Sequence, residues 1–184
     1  MQYGTAILRG DLVRLRAVTQ EDLDTLAGWW QLSDWAILQQ GTVQPRNRAA
    51  IADMFEQWSR NDTAGSVGFS IDDEEGNLIG HTTLWGASLP IRAATFAIIL
   101  GPEFIGKGYG TDATKTMLRY GFEELGLHKI ELQAWAFNTR GIRAYEKAGL
   151  IKEGVRRDAA FHGGEFHDQV LMSILEEEHR ALTQ

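Results

Sequence analysis

The sequence Gly101-Pro-Glu-Phe-Ile-Gly-Lys-Gly-Tyr-Gly-Thr111 lies between an apolar run at residues 95–100 and a helix-like pattern that begins near Gly110. Its glycines at alternate positions, Gly106, Gly108 and Gly110, let the backbone come close to a ligand because no β-carbon intervenes. Unpaired amides at the start of the following helix favour a phosphate or a pyrophosphate. The stretch therefore predicts an anion cradle. The same glycines also fit a flexible turn, so the flanking sequence has to decide between the two.

The composition is that of a globular chain. At 184 residues the chain is long enough for one substantial core and short for two, so we expect a single domain over residues 1–184. Hydrophobic residues make up 43% with only 3 prolines, and no apolar run approaches the roughly 18 residues of a membrane span. No secretory signal pattern is visible and cysteine is absent, which together predict a cytoplasmic protein without disulfides or thiolate chemistry.

The charge balance narrows the classes of partner. A net charge of −7 argues against broad nucleic-acid binding, which needs basic patches that neutralise phosphates. We therefore expect no nucleic-acid partner and no membrane partner. The acidic balance is compatible with a cationic substrate such as an amine.

Hydrophobic periodicity predicts an alternation of strands and helices with the glycine stretch at its centre. Period-two runs indicate strands and i, i+3, i+4 runs indicate helices. The residues around Trp35 predict a loop, and residues 176–184 predict a solvated tail. The predicted strands cover residues 11–18, 66–71, 78–85, 91–100, 129–135, 151–161 and 165–175, with residues 72–77 as a polar turn. The predicted helices begin after Thr19, cover 46–60 and 110–126, and run from Asn138 to Lys147.

Two common nucleotide-binding patterns fit this stretch poorly. A P-loop needs Gly-Lys followed by Ser or Thr, whereas Gly108 follows Lys107. A dinucleotide fingerprint matches residues 108–113 by letters, but its glycines should follow the strand directly and seven residues intervene. Neither pattern identifies the anion.

A second motif stands about thirty residues further on. Gly106-Lys-Gly-Tyr-Gly-Thr111 followed by Asn138-Thr-Arg-Gly-Ile-Arg-Ala-Tyr-Glu-Lys-Ala-Gly-Leu150 resembles the acetyl-CoA signature of the GNAT N-acetyltransferases. The chain start and the closing hairpin resemble the branch of the ribosomal-protein alanine and spermidine N-acetyltransferases. The resemblance implies an α/β (α+β) fold: a twisted mixed sheet with helices on both faces, splayed open between the strand ending at Leu100 and the strand at 130–135. Acetyl-CoA would lie in that gap.

The resemblance also implies which residues bind acetyl-CoA. The pantetheine arm would pair with the main chain of Ile98, Ile99 and Leu100 as an added half-strand. The pyrophosphate would lie on the cradle, with Lys107 as a secondary charge and with Ile105 standing where relatives usually have Arg or Gln. The cradle residues implied are Ile105, Gly106, Lys107, Gly108, Tyr109, Gly110 and Thr111.

Asn138 and Tyr145 are seven residues apart, two helical turns, and therefore lie on one face of the short predicted helix. In the family the matching asparagine contacts the CoA arm. The matching tyrosine lies near the sulfur and can give a proton to the departing thiolate. The plainer interpretation makes Asn138 a helix cap and Tyr145 a core residue.

The acceptor side is less determined. A primary amine is mostly protonated at neutral pH, so a carboxylate, a histidine or a water chain has to take its proton. The family often has an acid near position 95, where this chain has Thr95. The remaining candidates for a base are Asp34, Glu103, His162, Glu165, His167 and Asp168. Asp34 and Trp35 are the candidates for contact with the substrate, and the five histidines show no metal-ligand spacing, so we expect no metal.

The resemblance thus implies an acetyl-CoA-dependent N-acetyltransferase that acts by direct transfer to a primary amine. Branch resemblance slightly favours a protein N-terminal amine over a small-molecule amine such as a polyamine or an antibiotic. A CoA-binding sensor without useful catalysis is the alternative class. Dimers are common among relatives, so a homodimer is compatible with the resemblance.

Overall fold

The computed structural model of the chain describes residues 4, 6–63 and 65–182. The strands in these ranges are β1 (Arg14–Arg16), β2 (Ser66–Asp72), β3 (Leu78–Ser88), β4 (Ala93–Leu100), β5 (Lys129–Trp135), β6 (Ile151–His162) and β7 (Glu165–Leu175). The helices are α1 (Gln20–Gln31), α2 (Ser33–Gln40), α3 (Arg48–Trp58), α4 (Tyr109–Glu123), α5 (Thr139–Lys147) and α6 (Glu176–Leu182), with a 3₁₀ turn at Pro102–Phe104. None of the helices in the described ranges is long and apolar enough to cross a membrane.

The strands form one mixed sheet in the order β1-β2-β3-β4-β5-β7-β6, which confirms the expected α/β (α+β) architecture. Alternation along β2 shows that helices cover both faces of this sheet. The ring of Phe69 packs edge-on against Tyr120 of α4, with ring centroids 5.2 Å apart. Its neighbour Ser70 points to the other face and donates a 2.8 Å hydrogen bond to Asp22 of α1. The sheet therefore separates a larger core under α4 from a smaller core under α1 and α3.

An ion-pair network between a partly exposed arginine and two buried carboxylates fixes α1 to the sheet. Arg16 of β1 donates from Nη1 to Asp22 and from Nε to Asp72, each at 2.6 Å. Burial on its own would raise the pKa of Asp22. The hydrogen bonds from Arg16, the Thr19 amide and Ser70 outweigh it and lower that pKa to about 2. The network therefore stays ionised at neutral pH and holds the start of α1, which leads into α2.

β4 and β5 separate halfway along their length. They pair in parallel only between residues 93–95 and 129–131. Beyond Thr95, β4 continues to pair with β3, and β5 continues to pair with β7. The expected opening of the sheet between these two strands is thus confirmed, and it begins at Phe96.

The residues around Trp35 form a helix where the sequence predicts a loop. α2 is only eight residues long and buries just Ala36 and Ile37, so its apolar pattern is a short run without a helical period. Gly41 ends it with a left-handed φ of 70°. A β-carbon on Gly41 would lie 2.6 Å from the Trp135 ring, so this end of α2 lies directly against β5.

Residues 176–182 of the stretch predicted as a solvated tail form the helix α6, and residues 183 and 184 lie outside the described residues. The ring of His179 packs against Phe122 of α4 at a centroid distance of 5.0 Å, and burial lowers the pKa of His179. The Leu182 side chain lies close to Gly149. Three glutamates in the first turn of α6 are typical of a solvated segment. The contacts that place the helix come from α4 and from the end of α5.

Candidate active site

A cavity of about 490 Å³ fills the opening between β4 and β5. That volume lies within the range of small-molecule sites, roughly 300–1,000 Å³. Its walls are the separated halves of the two strands, the glycine loop, α2 and α5. The residues that line it include Phe96, Ala97, Ile98, Ile99, Leu100, Leu132, Gln133 and Ala134 from the strands, and Ile105, Gly106, Gly108, Gly110 and Thr111 from the loop.

The glycine loop has the backbone that its sequence predicts. Gly106 and Gly108 have φ values of 76° and 90°, a region that residues with a β-carbon rarely adopt. Gly108 is also the N-cap of α4 and carries no side chain to bond the first amides of the helix. Those amides remain available to an anion at the cavity wall.

Asp112 holds the segment before β1 against the start of α4. Its carboxylate accepts hydrogen bonds from the amides of Asp11, Leu12 and Val13 at 2.8–3.1 Å. The Asp112 carboxylate therefore binds backbone amides of the protein itself and does not face the cradle.

Lys107 and Tyr109 point away from the cavity, which neither residue lines. The Lys107 ammonium lies 5.7 Å from the centre of the Phe104 ring. The Tyr109 ring packs edge-on against the same phenylalanine at 6.5 Å. Their roles in ligand binding stay predictions, and the lining part of the loop supplies backbone without a charged side chain.

The exposed edge of β4 faces α2. Trp35 donates from Nε1 to the carbonyl of Leu100 at 2.6 Å, and Gln39 donates from Nε2 to the carbonyl of Ile98 at 3.1 Å. These two carbonyls belong to the stretch predicted to pair with the pantetheine arm. Asp34, the other candidate for substrate contact, is exposed and does not line the cavity. Gln39 was missed because its region was predicted to be a loop, although its spacing of four from Trp35 fits one helix face.

Asn138 caps α5 and lines the cavity as well. Its Oδ1 accepts a hydrogen bond from the Gly141 amide at 3.0 Å, which leaves the Nδ2 amino group for a ligand. A β-carbon on Gly141 would lie 2.6 Å from that amino group. The absence of a β-carbon at Gly141 thus lets the asparagine side chain lie close over the helix start.

Tyr145 lies on the same wall as Asn138. Its ring packs edge-on against Phe96 at 6.1 Å, at the point where β4 leaves β5. Burial raises the pKa of its phenol to about 12, so the hydroxyl group keeps its proton at neutral pH. A protonated phenol in a cavity can donate a hydrogen bond or a proton to a developing anion.

The candidates for a general base lie outside the cavity. None of the described lining residues is an aspartate, a glutamate or a histidine. Asp168 accepts a hydrogen bond from the Asp158 amide, and the His167 ring bonds the carbonyl of His162. Within the described ranges no three His, Cys, Asp or Glu residues come together in a way that could hold a metal.

Three cations line the cavity that the sequence did not single out: Arg140, Arg143 and Lys147 of α5. Arg140 stacks on Trp35, with its guanidinium carbon 5.9 Å from the ring centre. Their positions lie inside the motif from 138 to 150. The i, i+3, i+7 spacing of these cations, which places them on one face of the helix, is the sequence signal that could have identified them.

The family assignment follows from sequence comparison. Residues 13–151 match the model of the acetyltransferase (GNAT) domain. This chain belongs to the GNAT acetyltransferase family. The resemblance seen in its two motifs is therefore confirmed at the level of the family.

Relatives from both of the resembled branches match. A spermidine N(1)-acetyltransferase of Vibrio cholerae is 35% identical over 59% of this chain and 62% of its own length. A Bacillus subtilis protein, provisionally assigned as a ribosomal N-acetyltransferase, is 33% identical over 56% of this chain and 57% of its own. The matched stretch thus spans less than two thirds of either relative.

Structural similarity extends over more of the chain. The crystal structure of the Vibrio cholerae spermidine N-acetyltransferase, in complex with CoA and spermine, superposes with a TM-score of 0.81 at 26% identity. The match covers 91% of this chain and 98% of that one. The α/β fold with its open sheet is therefore the fold of this family.

Proposed function

We propose that this chain transfers the acetyl group of acetyl-CoA directly to a primary amine. The observation that carries the proposal is the single cavity that joins the glycine loop to Tyr145 through the open edge of β4. A pyrophosphate on the loop and an extended arm along Ile98 and Leu100 lead towards Phe96, against which the Tyr145 ring packs. The thioester would then lie within reach of the phenol.

The chemistry follows from this placement. A neutral amine attacks the thioester carbonyl, a carbon–nitrogen bond forms, and the carbon–sulfur bond breaks. The departing thiolate takes the proton of the Tyr145 hydroxyl group, which is present because the raised pKa keeps the phenol protonated. Water reprotonates the phenolate. Since the described lining residues include no aspartate, glutamate or histidine, solvent water in the open cleft takes one proton from the substrate ammonium group before the attack and a second from the nitrogen once the carbon–nitrogen bond has formed.

For the acceptor we favour a small-molecule amine, the alternative to the protein N-terminus. The support is the similarity to an enzyme whose crystal structure contains CoA and spermine, together with sequence similarity to spermidine acetyltransferases. The described lining residues include no carboxylate that could pair with further ammonium groups. We therefore expect only the reacting amine to enter the cavity, with the rest of the acceptor outside it.

The test measures acetyl-CoA turnover with a panel of amines. Turnover is detected as the release of the free thiol of CoA. The panel contains spermidine, spermine, a simple monoamine and peptides with a free N-terminal amine. We expect thiol release with small amines and a higher kcat/KM for them than for the peptides. A preference for peptides would move the acceptor to the protein N-terminus, and CoA binding without turnover on any amine would favour a sensor.

A further inference from the structure

Arg140, Arg143 and Lys147 form one line along α5, called here the basic stripe. At 100° per residue the three positions lie within about 60° of one another around the helix. All three side chains line the cavity. The stripe therefore runs along the α5 wall from the α2 side towards the end of the helix.

No described carboxylate neutralises the stripe. The ion pairs among the described residues involve Arg16, Arg48, Lys129 and Arg180, and none of them includes a member of the stripe. Arg143 gives only its Nε hydrogen to the protein, at 3.3 Å from the Thr139 carbonyl. In a chain with net charge −7, three neighbouring cations without counter-charges make a local positive field that suits an anionic ligand group.

The stripe lies beside the glycine loop and is separate from it. The Thr111 hydroxyl group at the start of α4 is 3.5 Å from the Ala144 carbonyl, so the middle of α5 touches the loop end of the cavity. Arg143 precedes that contact by one residue, and Lys147 follows it by one helical turn. The loop itself offers amides and no charged side chain to the cavity, because Lys107 is turned to Phe104.

CoA carries two separate anionic groups, the pyrophosphate and a phosphomonoester on the 3′ position of its ribose. We infer that the glycine loop takes the pyrophosphate through backbone amides, whereas Arg143 and Lys147 take the 3′-phosphate through charge-assisted hydrogen bonds. The stripe thereby makes the protein select CoA thioesters over dephospho-CoA thioesters. Arg140 holds the α2 end of the same wall through Trp35. The inference rests on the proposed use of acetyl-CoA.

The experiment is a double-mutant cycle between protein and ligand. Dissociation constants of CoA and of dephospho-CoA are measured by calorimetry at low salt for the wild type and for Arg143→Gln/Lys147→Gln. We expect the wild type to bind CoA about tenfold or more tightly than dephospho-CoA, since a hydrogen bond to a charged group is worth that much. The double variant should lose that preference and bind dephospho-CoA within about twofold of the wild type.

Three comparisons make the result decisive. Lys115→Gln removes an exposed cation of α4 that does not line the cavity and should change neither constant. The charge-retaining Arg143→Lys/Lys147→Arg variant should recover most of the preference, and equal melting temperatures show that all variants are folded.

Equal losses for the two ligands would overturn the inference, because the stripe would then contact a part of CoA other than the 3′-phosphate. Unchanged affinity of the double variant for CoA would overturn it too. Wild-type turnover with acetyl-CoA in either case leaves the proposed function standing. If the wild type binds neither ligand, the proposed function itself fails.

Discussion

The two halves of β4 differ in what covers their second edge. At Ala93–Thr95 that edge pairs with β5, so this part of the strand is hydrogen-bonded on both sides. From Phe96 to Leu100 the same edge faces the cavity, and its carbonyls at Ile98 and Leu100 accept hydrogen bonds from side chains of α2. One continuous apolar strand is thus paired on both edges in its first half and open to the cavity along one edge in its second.

The difference teaches how the fold keeps a strand edge free for a ligand. An unpaired backbone carbonyl costs stability when it is shielded from water, and a bare edge invites pairing with another chain. Trp35 and Gln39 satisfy the two carbonyls without filling the cavity. A ligand arm that pairs with this edge has to share these carbonyls with the Trp35 and Gln39 side chains or displace those side chains from them.

The largest effect should come from the site at the point where the strands separate. Tyr145→Phe removes the phenolic proton beside Phe96 and should lower kcat by about 10²–10⁴, the usual contribution of a general acid. The dissociation constant of acetyl-CoA should stay within about twofold, since the ring remains. Stopped-flow thiol release and calorimetry measure the two quantities.

Tyr120→Phe is the matched control, because Tyr120 packs against Phe69 in the core under α4 and does not line the cavity. Its turnover should equal that of the wild type. Unchanged turnover of Tyr145→Phe would remove Tyr145 from its role as the acid.

A substitution where β4 pairs with β5 should lower the stability of the fold and leave acetyl-CoA binding less affected. Ile130 lies opposite Ala94 and is fully buried, so Ile130→Ala should lower the free energy of unfolding by about 2–5 kcal/mol. Ile98→Ala, in the unpaired half, should cost less stability because Ile98 is only partly buried, and should weaken acetyl-CoA binding. Urea denaturation and ligand titration of both variants test the contrast. Similar profiles for the two variants would show that the halves of β4 do not differ in function.

A smaller effect is expected from the contact between α2 and the β4 edge that faces the cavity. Trp35→Phe keeps a ring for Arg140 and removes the Nε1 donor to the Leu100 carbonyl. If the ligand arm competes for that carbonyl, acetyl-CoA should bind up to about fivefold more tightly, the value of one hydrogen bond. Trp58→Phe, on α3 and outside the cavity, is the control. Weaker binding by Trp35→Phe would instead make the indole part of the ligand site.

The smallest effect concerns pH. Because burial raises the pKa of Tyr145 to about 12, its acid form persists throughout the neutral and moderately alkaline range. We therefore expect kcat not to fall between about pH 7 and pH 10. With no base among the described lining residues, log kcat/KM should rise with a slope of about one towards the pKa of the free amine. An inflection near pH 6–7 that is absent from the amine itself would reveal a protein base.

Much of the geometry of the cavity wall could be predicted from the sequence because its information is local. The glycine pattern at 106, 108 and 110 requires the loop geometry that the structure shows at Gly106 and Gly108. The spacing of Asn138 and Tyr145 on one helix face places both on one wall. Period-two and period-3.6 patterns likewise found the strands and the longer helices, since each of these elements repeats its apolar residues several times.

The sequence by itself therefore determined the glycine loop, the order of the strands and of the longer helices, and the placement of Asn138 and Tyr145 on one face of α5. Only the tertiary structure decided that α2 is a helix over the β4 edge, that α6 packs on α4, that the base candidates stay outside the cavity and that three cations line it. Trp35 and Leu100 are 65 residues apart in the chain and meet in one hydrogen bond. Such contacts depend on how distant segments pack, and no local periodicity records them.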